Sequence, residues 1–217
     1  MRGFISAMLA VVMVPSIAGA APLSDAGLKN LLAAIRQNRT TQADFQEQRV
    51  IRLMKEPVLS SGTVWFQPPN KFRREVKGNS PSITVSDGRD LWIYYSNFKS
   101  AERYLLGKGS PLDATVAAID SALNLENIDT NFNITATKTD NGYELQLLPR
   151  TAAMKRVFQK LDLRINNQFR VERTDMLLLN GDRIITTYLN QTRAPIPAST
   201  FEFKPPAGTE VTTPLGQ

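Results

Sequence analysis

Few side chains in this 217-residue chain can do chemistry. Histidine and cysteine are both absent. That removes Ser-His and Cys-His nucleophile pairs, His- or thiolate-rich metal sites and the usual neutral-pH proton shuttle. The remaining enzymatic route is a carboxylate couple, Glu172 with Asp175 or Asp120 with Glu126. Both pairs also read as solvated carboxylates on strand and helix exteriors. Gly107-Lys108-Gly109-Ser110 looks like a piece of a phosphate loop, but the glycine four residues earlier is missing and no buried strand feeds it. Its plainer reading is a glycine-rich hinge before a helix, which is how a lid is built. The expectation is therefore a non-catalytic protein with no metal and no cofactor.

The aromatic residues carry more. Trp65, Phe66 and Phe72 surround Pro68-Pro69, and Trp92, Tyr94, Tyr95 and Phe98 follow Asp87-Gly88. Apolar side chains thus occupy both phases of neighbouring strands. They fit either a filled core or a sheet wrapped around a cavity suited to acyl chains. The net charge of +6 comes from 26 Lys and Arg against 20 Asp and Glu, interspersed along the chain. Such dispersal does not suggest a nucleic-acid footprint, and it suits an ordinary soluble surface or one facing anionic lipid or an acidic partner.

Residues 1–20 have the form of a secretory signal peptide. Arg2 supplies the positive region, Phe4 to Ile17 the apolar run, and Ala18-Gly19-Ala20 the small residues before cleavage near Ala21. Export without disulfides points to the bacterial periplasm. Residues 21–217 read as one domain.

Leu28, Leu31, Leu32 and Ile35 fall at helical spacing, predicting a helix from Leu28 to Arg36 with only a weak start at Ser24. From Phe45 the period changes to two. Strands are expected at Phe45 to Lys55, Val58 to Gln67, Phe72 to Val76, Ile83 to Ser86 and Leu91 to Tyr95. Ser110-Pro111 opens a second helix with a stripe of Leu112, Val116, Ile119 and Leu123. Strands follow at Asn131 to Lys138, Tyr143 to Leu148, Val157 to Ile165, Phe169 to Leu178 and Arg183 to Thr192, with a last short one around Phe201 and Phe203. In the third of these, Val157 is expected to point with Leu161 and Phe158 away from it. Asn180-Gly181 reads as a type I′ hairpin. About ten strands and two main helices imply one antiparallel sheet, strongly curved and partly closed around the helices.

Four blocks, taken in order, resemble the LolA-like lipoprotein carriers. They are Phe45-Gln46-Glu47-Gln48 after a short helix, Gly62 to Phe72 with Trp65 and Pro68-Pro69-Asn70, Ser86-Asp87-Gly88 to Tyr94, and Phe201-Glu202-Phe203 to Gly208. The resemblance implies an α+β, mostly β fold: a half-open antiparallel β-barrel wrapped around a helical lid over a hydrophobic cavity. It also implies a monomeric carrier of acylated lipoproteins, loaded by an inner-membrane ABC transporter and unloaded at an outer-membrane receptor. Related roles are carriage of another lipid (glycolipid or polyene lipid) or lipid sensing in regulation. Shielding is physically required, since each exposed methylene of an acyl anchor costs about 0.8 kcal/mol in water. By this resemblance Phe72 stands at the cavity mouth, Val64, Phe66, Trp92 and Tyr94 on its wall, and Leu112, Val116 and Ile119 on the lid. The family's latch arginine, which precedes the proline of the second block, is Pro68 here. Arg73 and Arg74 are the candidates to replace it.

Overall fold

The computed structural model describes residues 21–106 and 128–214. The expected signal peptide, the Gly107 hinge, the helix carrying Leu112, Val116 and Ile119, and the Asp120–Glu126 pair lie outside the described residues. Helix α1 spans Asp25–Gln37, starting three residues before the predicted Leu28. Ser24 makes the difference: its hydroxyl accepts the Gly27 N–H at 3.2 Å, a cap that contributes about 1 kcal/mol. Asp25 adds a negative charge at the positive end of the helix dipole. At the other end the Asn38 amide donates to the Ala34 carbonyl at 2.8 Å and Arg193 donates to the Gln37 carbonyl at 2.9 Å. The Gln37 carbonyl is one that the helix itself leaves open, whereas Ala34 also accepts the Asn38 N–H at 3.1 Å.

Twelve strands follow: β1 (Gln42–Val50), β2 (Val58–Gln67), β3 (Lys71–Lys77), β4 (Ser82–Ser86), β5 (Asp90–Tyr95), β6 (Ser100–Leu105), β7 (Phe132–Thr139), β8 (Gly142–Pro149), β9 (Phe158–Asn166), β10 (Val171–Leu178), β11 (Arg183–Thr192) and β12 (Glu210–Thr212). Two single-turn helices, α2 (Ile128–Asn131) and α3 (Ala152–Lys155), precede β7 and β9. The strands form one sheet in the order β12-β6-β5-β4-β3-β2-β1-β11-β10-β9-β8-β7. The edges β7 and β12 do not pair with each other, so the sheet is half-open rather than a closed barrel. At the β7 edge Pro22 bridges Thr137, and the Leu23 N–H donates to the Ala136 carbonyl at 2.7 Å.

Several expectations are corrected. Strand β6 was not foreseen, and β12 pairs with it in parallel, so the sheet is not wholly antiparallel. Strand β1 stops at Val50 because its partner β11 begins at Arg183, directly opposite; beyond it the Arg52 N–H turns aside to the Asp182 carboxylate at 2.9 Å. The Phe201–Phe203 stretch is not a strand. Ala198–Phe201 is a 3₁₀ turn, and Pro205-Pro206 beyond it lacks donors for a ladder. Phe158 is buried with Leu161 because the β9–β10 register steps from Lys160↔Leu177 to Phe158↔Leu178. The bulge adds one residue and reverses the phase. Asn180-Gly181 is not type I′, because only Gly181 has positive φ (87°). The Gly181 N–H reaches the Leu178 carbonyl and the Leu178 N–H reaches Asp182, a three-residue turn with its glycine in the left-handed position.

The register divides the sheet into two faces. The inner phase runs through Phe132, Ile134 and Ala136 (β7), Leu145 and Leu147 (β8), Leu161 and Leu163 (β9), Thr174 and Met176 (β10), Thr186 and Tyr188 (β11), Ala43, Phe45 and Glu47 (β1), Gly62, Val64 and Phe66 (β2), Phe72, Arg74 and Val76 (β3), Ser82, Thr84 and Ser86 (β4), Leu91, Ile93 and Tyr95 (β5) and Tyr104 (β6). Helix α1 packs Leu31, Leu32 and Ile35 onto the β7–β10 half, with Phe132, Leu145, Leu147, Phe158, Leu161 and Leu163. Gly62 is required between β1 and β3. A Cβ there would lie 1.8 Å from the Glu75 carbonyl oxygen and 2.9 Å from the Phe45 ring. Gly62→Ala is expected to destabilise the fold by about 1–3 kcal/mol through forced backbone movement. Urea unfolding should show this as a lower midpoint, and an unchanged midpoint would contradict the packing described.

Candidate functional site

The second apolar cluster lies on the same inner face, beside the part on which α1 packs. Phe45, Val64, Phe66, Phe72 and Leu91 are buried together, with Val76, Tyr104, Leu106 and Tyr188 packed around them. Val64 and Phe66, expected on the wall, therefore meet Phe72, expected at the mouth. Cross-strand pairing causes this: Phe66 lies opposite Phe72, Val64 opposite Arg74, and Phe45 opposite Gly62. Phe45 and Leu91 belong to the same cluster and were missed as lining residues. Both were present in the family-like blocks, but their contact depends on register across β1, β2, β4 and β5, which spacing along one strand does not reveal.

Trp92 and Tyr94 do not join them. Leu91 pairs with Ser86, which pairs with Phe72, so the inner phase of β5 is Leu91, Ile93 and Tyr95. Trp92 and Tyr94 take the outer phase, where the ring of Phe203 lies 5.7 Å from each. The expectation that they share a wall with Phe72 is thus corrected by strand parity. Their role is to seat the C-terminal segment against the back of the sheet.

The two latch candidates separate in the same way. Arg73 is on the outer face, donating to Glu75 at 2.7 Å and to the Thr200 carbonyl at 3.2 Å. It holds the 3₁₀ turn, not a cover over the inner face. Arg74 is on the inner face, with its guanidinium 4.2 Å from the Phe45 ring centroid and 2.8 Å from Glu47 Oε2. The Thr186 hydroxyl also approaches Glu47, at 3.5 Å. An ion pair and a cation–π contact therefore sit on the inner face beside the apolar cluster. Pro68, at the family's arginine position, has no donor and is joined to Pro69 by a cis peptide bond.

Two sequence blocks are tied together at this end of the strands. The Ser86 hydroxyl donates to the Asn70 carbonyl at 3.2 Å and accepts the Gly88 N–H at 3.1 Å, while the Asn70 amide donates to the Gly88 carbonyl at 3.3 Å. Ser86 is fully buried there. Burial also acts on Asp87 and raises its pKa, but the Arg89 and Asp90 N–H groups, both 2.8 Å away, outweigh it and hold the carboxyl below its ordinary value.

Inner-face phenols are kept neutral. Burial, then the hydrogen bond to Glu102 at 2.6 Å, pushes Tyr104 up to about 12. Burial pushes Tyr188 up as well, only partly offset by its bond with Thr174. Of the carboxylates considered for catalysis, the two among the described residues are engaged elsewhere: Asp175 with Arg183, and Glu172 with the Asn166 amide at 3.1 Å. Where the end of α1 meets the second cluster, Ile35, Ala43, Phe66, Phe169 and Tyr188 close around only about 20 Å³, room for one water. An acyl chain has no room at that point. The half-buried inner residues Val76, Ile93, Tyr95 and Tyr104 mark where apolar surface is still available.

Among the described residues, an open twelve-stranded sheet with helix α1 on part of its inner face, and a second apolar cluster beside it, defines a half-barrel fold. The family model for outer membrane lipoprotein carrier protein LolA matches residues 36–204, and the chain belongs to that family. An outer-membrane lipoprotein carrier protein of Coxiella burnetii (strain CbuK_Q154) is 27% identical over 182 residues, 80% of each chain. One from Methylibium petroleiphilum is 30% identical over 154 residues, 70% of this chain and 72% of that one. Among solved structures, an uncharacterized conserved protein from Thermus thermophilus matches with a TM-score of 0.51 at 16% identity, covering 86% of this chain and 98% of that one. At that identity the likeness concerns the fold alone.

The Glu47–Arg74 pair is partly shielded, its side chains 14% and 29% exposed. It should be worth about 1–2 kcal/mol, between an exposed and a fully buried pair. A double-mutant cycle of Glu47→Gln and Arg74→Met checks this; additive effects would contradict it. For Tyr104 the folded pKa is raised, so its stabilisation is complete below pH ~10 and is lost as pH rises through about 12. Tyr104→Phe should remove a phenolate absorbance step near pH 12; persistence of that step would rule out the assignment.

Proposed function

We propose that this protein is a periplasmic carrier that shields the acyl chains of lipoproteins against its inner sheet face as they pass from the inner to the outer membrane. Membership of the carrier family supports this reading, and so does the apolar cluster of Val64, Phe66 and Phe72, extended by the half-buried Val76, Ile93 and Tyr95. The cluster is the observation that carries the proposal. Its residues come from strands that α1 does not cover, on the face where an acyl chain would be removed from water. In this reading Phe72 stands at the mouth, with Leu112, Val116 and Ile119 contributing from a lid. Donor and acceptor are an inner-membrane ABC transporter and an outer-membrane receptor, each docked transiently by a monomer. No step requires a metal, a cofactor or covalent chemistry.

The Arg74–Glu47 pair takes over the polar position of the latch in this account. Release must remain easy, so the cover is held by contacts that differ little in energy between open and closed forms. Pro68 gives up the family's hydrogen bond, and Arg74, tied to Glu47, stands within the apolar face instead.

Protein purified from the periplasm and examined by native mass spectrometry with lipid extraction should carry acylated lipoprotein. Co-purified glycolipid or polyene lipid would redirect the cargo, and preparations that bind neither lipid nor a fluorescent apolar probe would overturn the carrier reading. Phe72→Glu is expected to weaken probe uptake about tenfold or more, since a charge would face the acyl site. Val76→Glu, at a less buried position of the same phase, should act in the same direction. Unchanged uptake in both folded variants would count against the inner face as the site.

A further inference from the structure

The exposed apolar side chains are not scattered. The end of the sheet where β1 leaves and β2 enters also carries the β5–β6 and β10–β11 connections, since Tyr95 pairs with Ser100 and Val50 with Arg183. At this end Leu53 is 95% exposed, Phe98 80% and Leu59 69%, with Met54, Val58 and Leu179 also exposed. Among the described residues, the opposite end exposes only Leu105 and Leu189 of comparable size. Single exposed apolar residues are ordinary, but several at one end mark an interaction surface.

Charge narrows the partner. Arg49 at the end of β1, and Arg52 and Lys55 in the β1–β2 connection, are exposed, and the three make no ion pair among the described residues. Glu56 is the one acidic residue between positions 49 and 59, leaving that stretch at +3 − 1 = +2. Lys77 and Lys99 add exposed cations on the neighbouring connections. An apolar tip fringed by cations matches a bilayer with anionic headgroups, which takes up the apolar groups and attracts the charges. Val58, at this end, has the same strand phase as Val64 and Phe66, with Ser60 and Gly62 between them.

We propose that this end of the sheet, led by Leu53 and Met54, docks on an anionic lipid bilayer and so brings the carrier to the membrane surface. The inference rests on the carrier reading for its purpose, but not for its test. Sedimentation with sucrose-loaded vesicles of phosphatidylcholine and phosphatidylglycerol (3:1), compared with phosphatidylcholine alone, measures docking by the purified full chain. The native protein should bind the anionic vesicles. Leu53→Asp combined with Met54→Asp should reduce binding about tenfold or more. Replacing Arg49, Arg52 and Lys55 by Ser should reduce it about fivefold per cation on anionic vesicles only. Both variants should retain uptake of a fluorescent apolar probe. A native protein that stays in the supernatant, as expected if this surface serves a protein partner, overturns the docking proposal, as do variants that sediment like the native chain. Failure of probe uptake by the native protein would instead overturn the carrier reading, leaving the vesicle result to be judged alone.

Discussion

An apolar sheet face must be covered, and among the described residues helix α1 covers only part of it. Twelve strands have eleven gaps of about 4.8 Å, so the sheet is about 53 Å across if laid flat. Helix α1 has 13 residues, about 20 Å at 1.5 Å per residue. It can serve only about four strands, and its buried leucines and Ile35 pack on the β7–β10 half. The β1–β6 half keeps Phe45, Val64, Phe66, Phe72 and Leu91 together as a separate cluster. A sheet of this width also curls, because accumulated twist is incompatible with a flat sheet of so many strands. Among the described residues, the division of the inner face into a part packed by α1 and a separate apolar cluster follows from these lengths.

Strand parity then assigns the chemistry. Arg73 and Arg74 are neighbours in sequence but lie on opposite faces, because successive side chains of a strand point opposite ways. Arg74 enters the apolar cluster and needs Glu47 and the Phe45 ring as compensation for lost water. Arg73 instead secures the C-terminal segment through the Thr200 carbonyl, and Phe203 completes that attachment over Trp92 and Tyr94. The outer aromatics therefore stabilise the back of the sheet, which lets the inner face remain available.

Much of the sheet could be read from alternation and turn residues. Strands β2 and β11 have the expected limits, and the helix stripe of Leu31, Leu32 and Ile35 is the buried one. What could not be read depended on pairing. The facing of Trp92 follows from Ser86↔Leu91 two strands from Phe72, and the burial of Phe158 from a bulge against β10. Phe201 and Phe203 alternate like a strand, but the ladder there is interrupted by proline. Of the inner-face cluster, Val64, Phe66 and Phe72 were named through the family-like block around Pro68-Pro69, whereas the place of Phe45 and Leu91 needed the register. The family blocks named the right segments without showing which face each side chain takes.

The central claim is that cargo meets one face of this sheet and not the other. Site-specific photo-crosslinking in cells tests it most directly, with a benzophenone side chain placed at Val76 or Ile93 on the inner phase and at Trp65 or Trp92 on the outer phase. The account predicts crosslinks to acylated cargo from the inner positions and none from the outer ones. Equal crosslinking from both faces, or crosslinking only from Trp65 and Trp92, would contradict it.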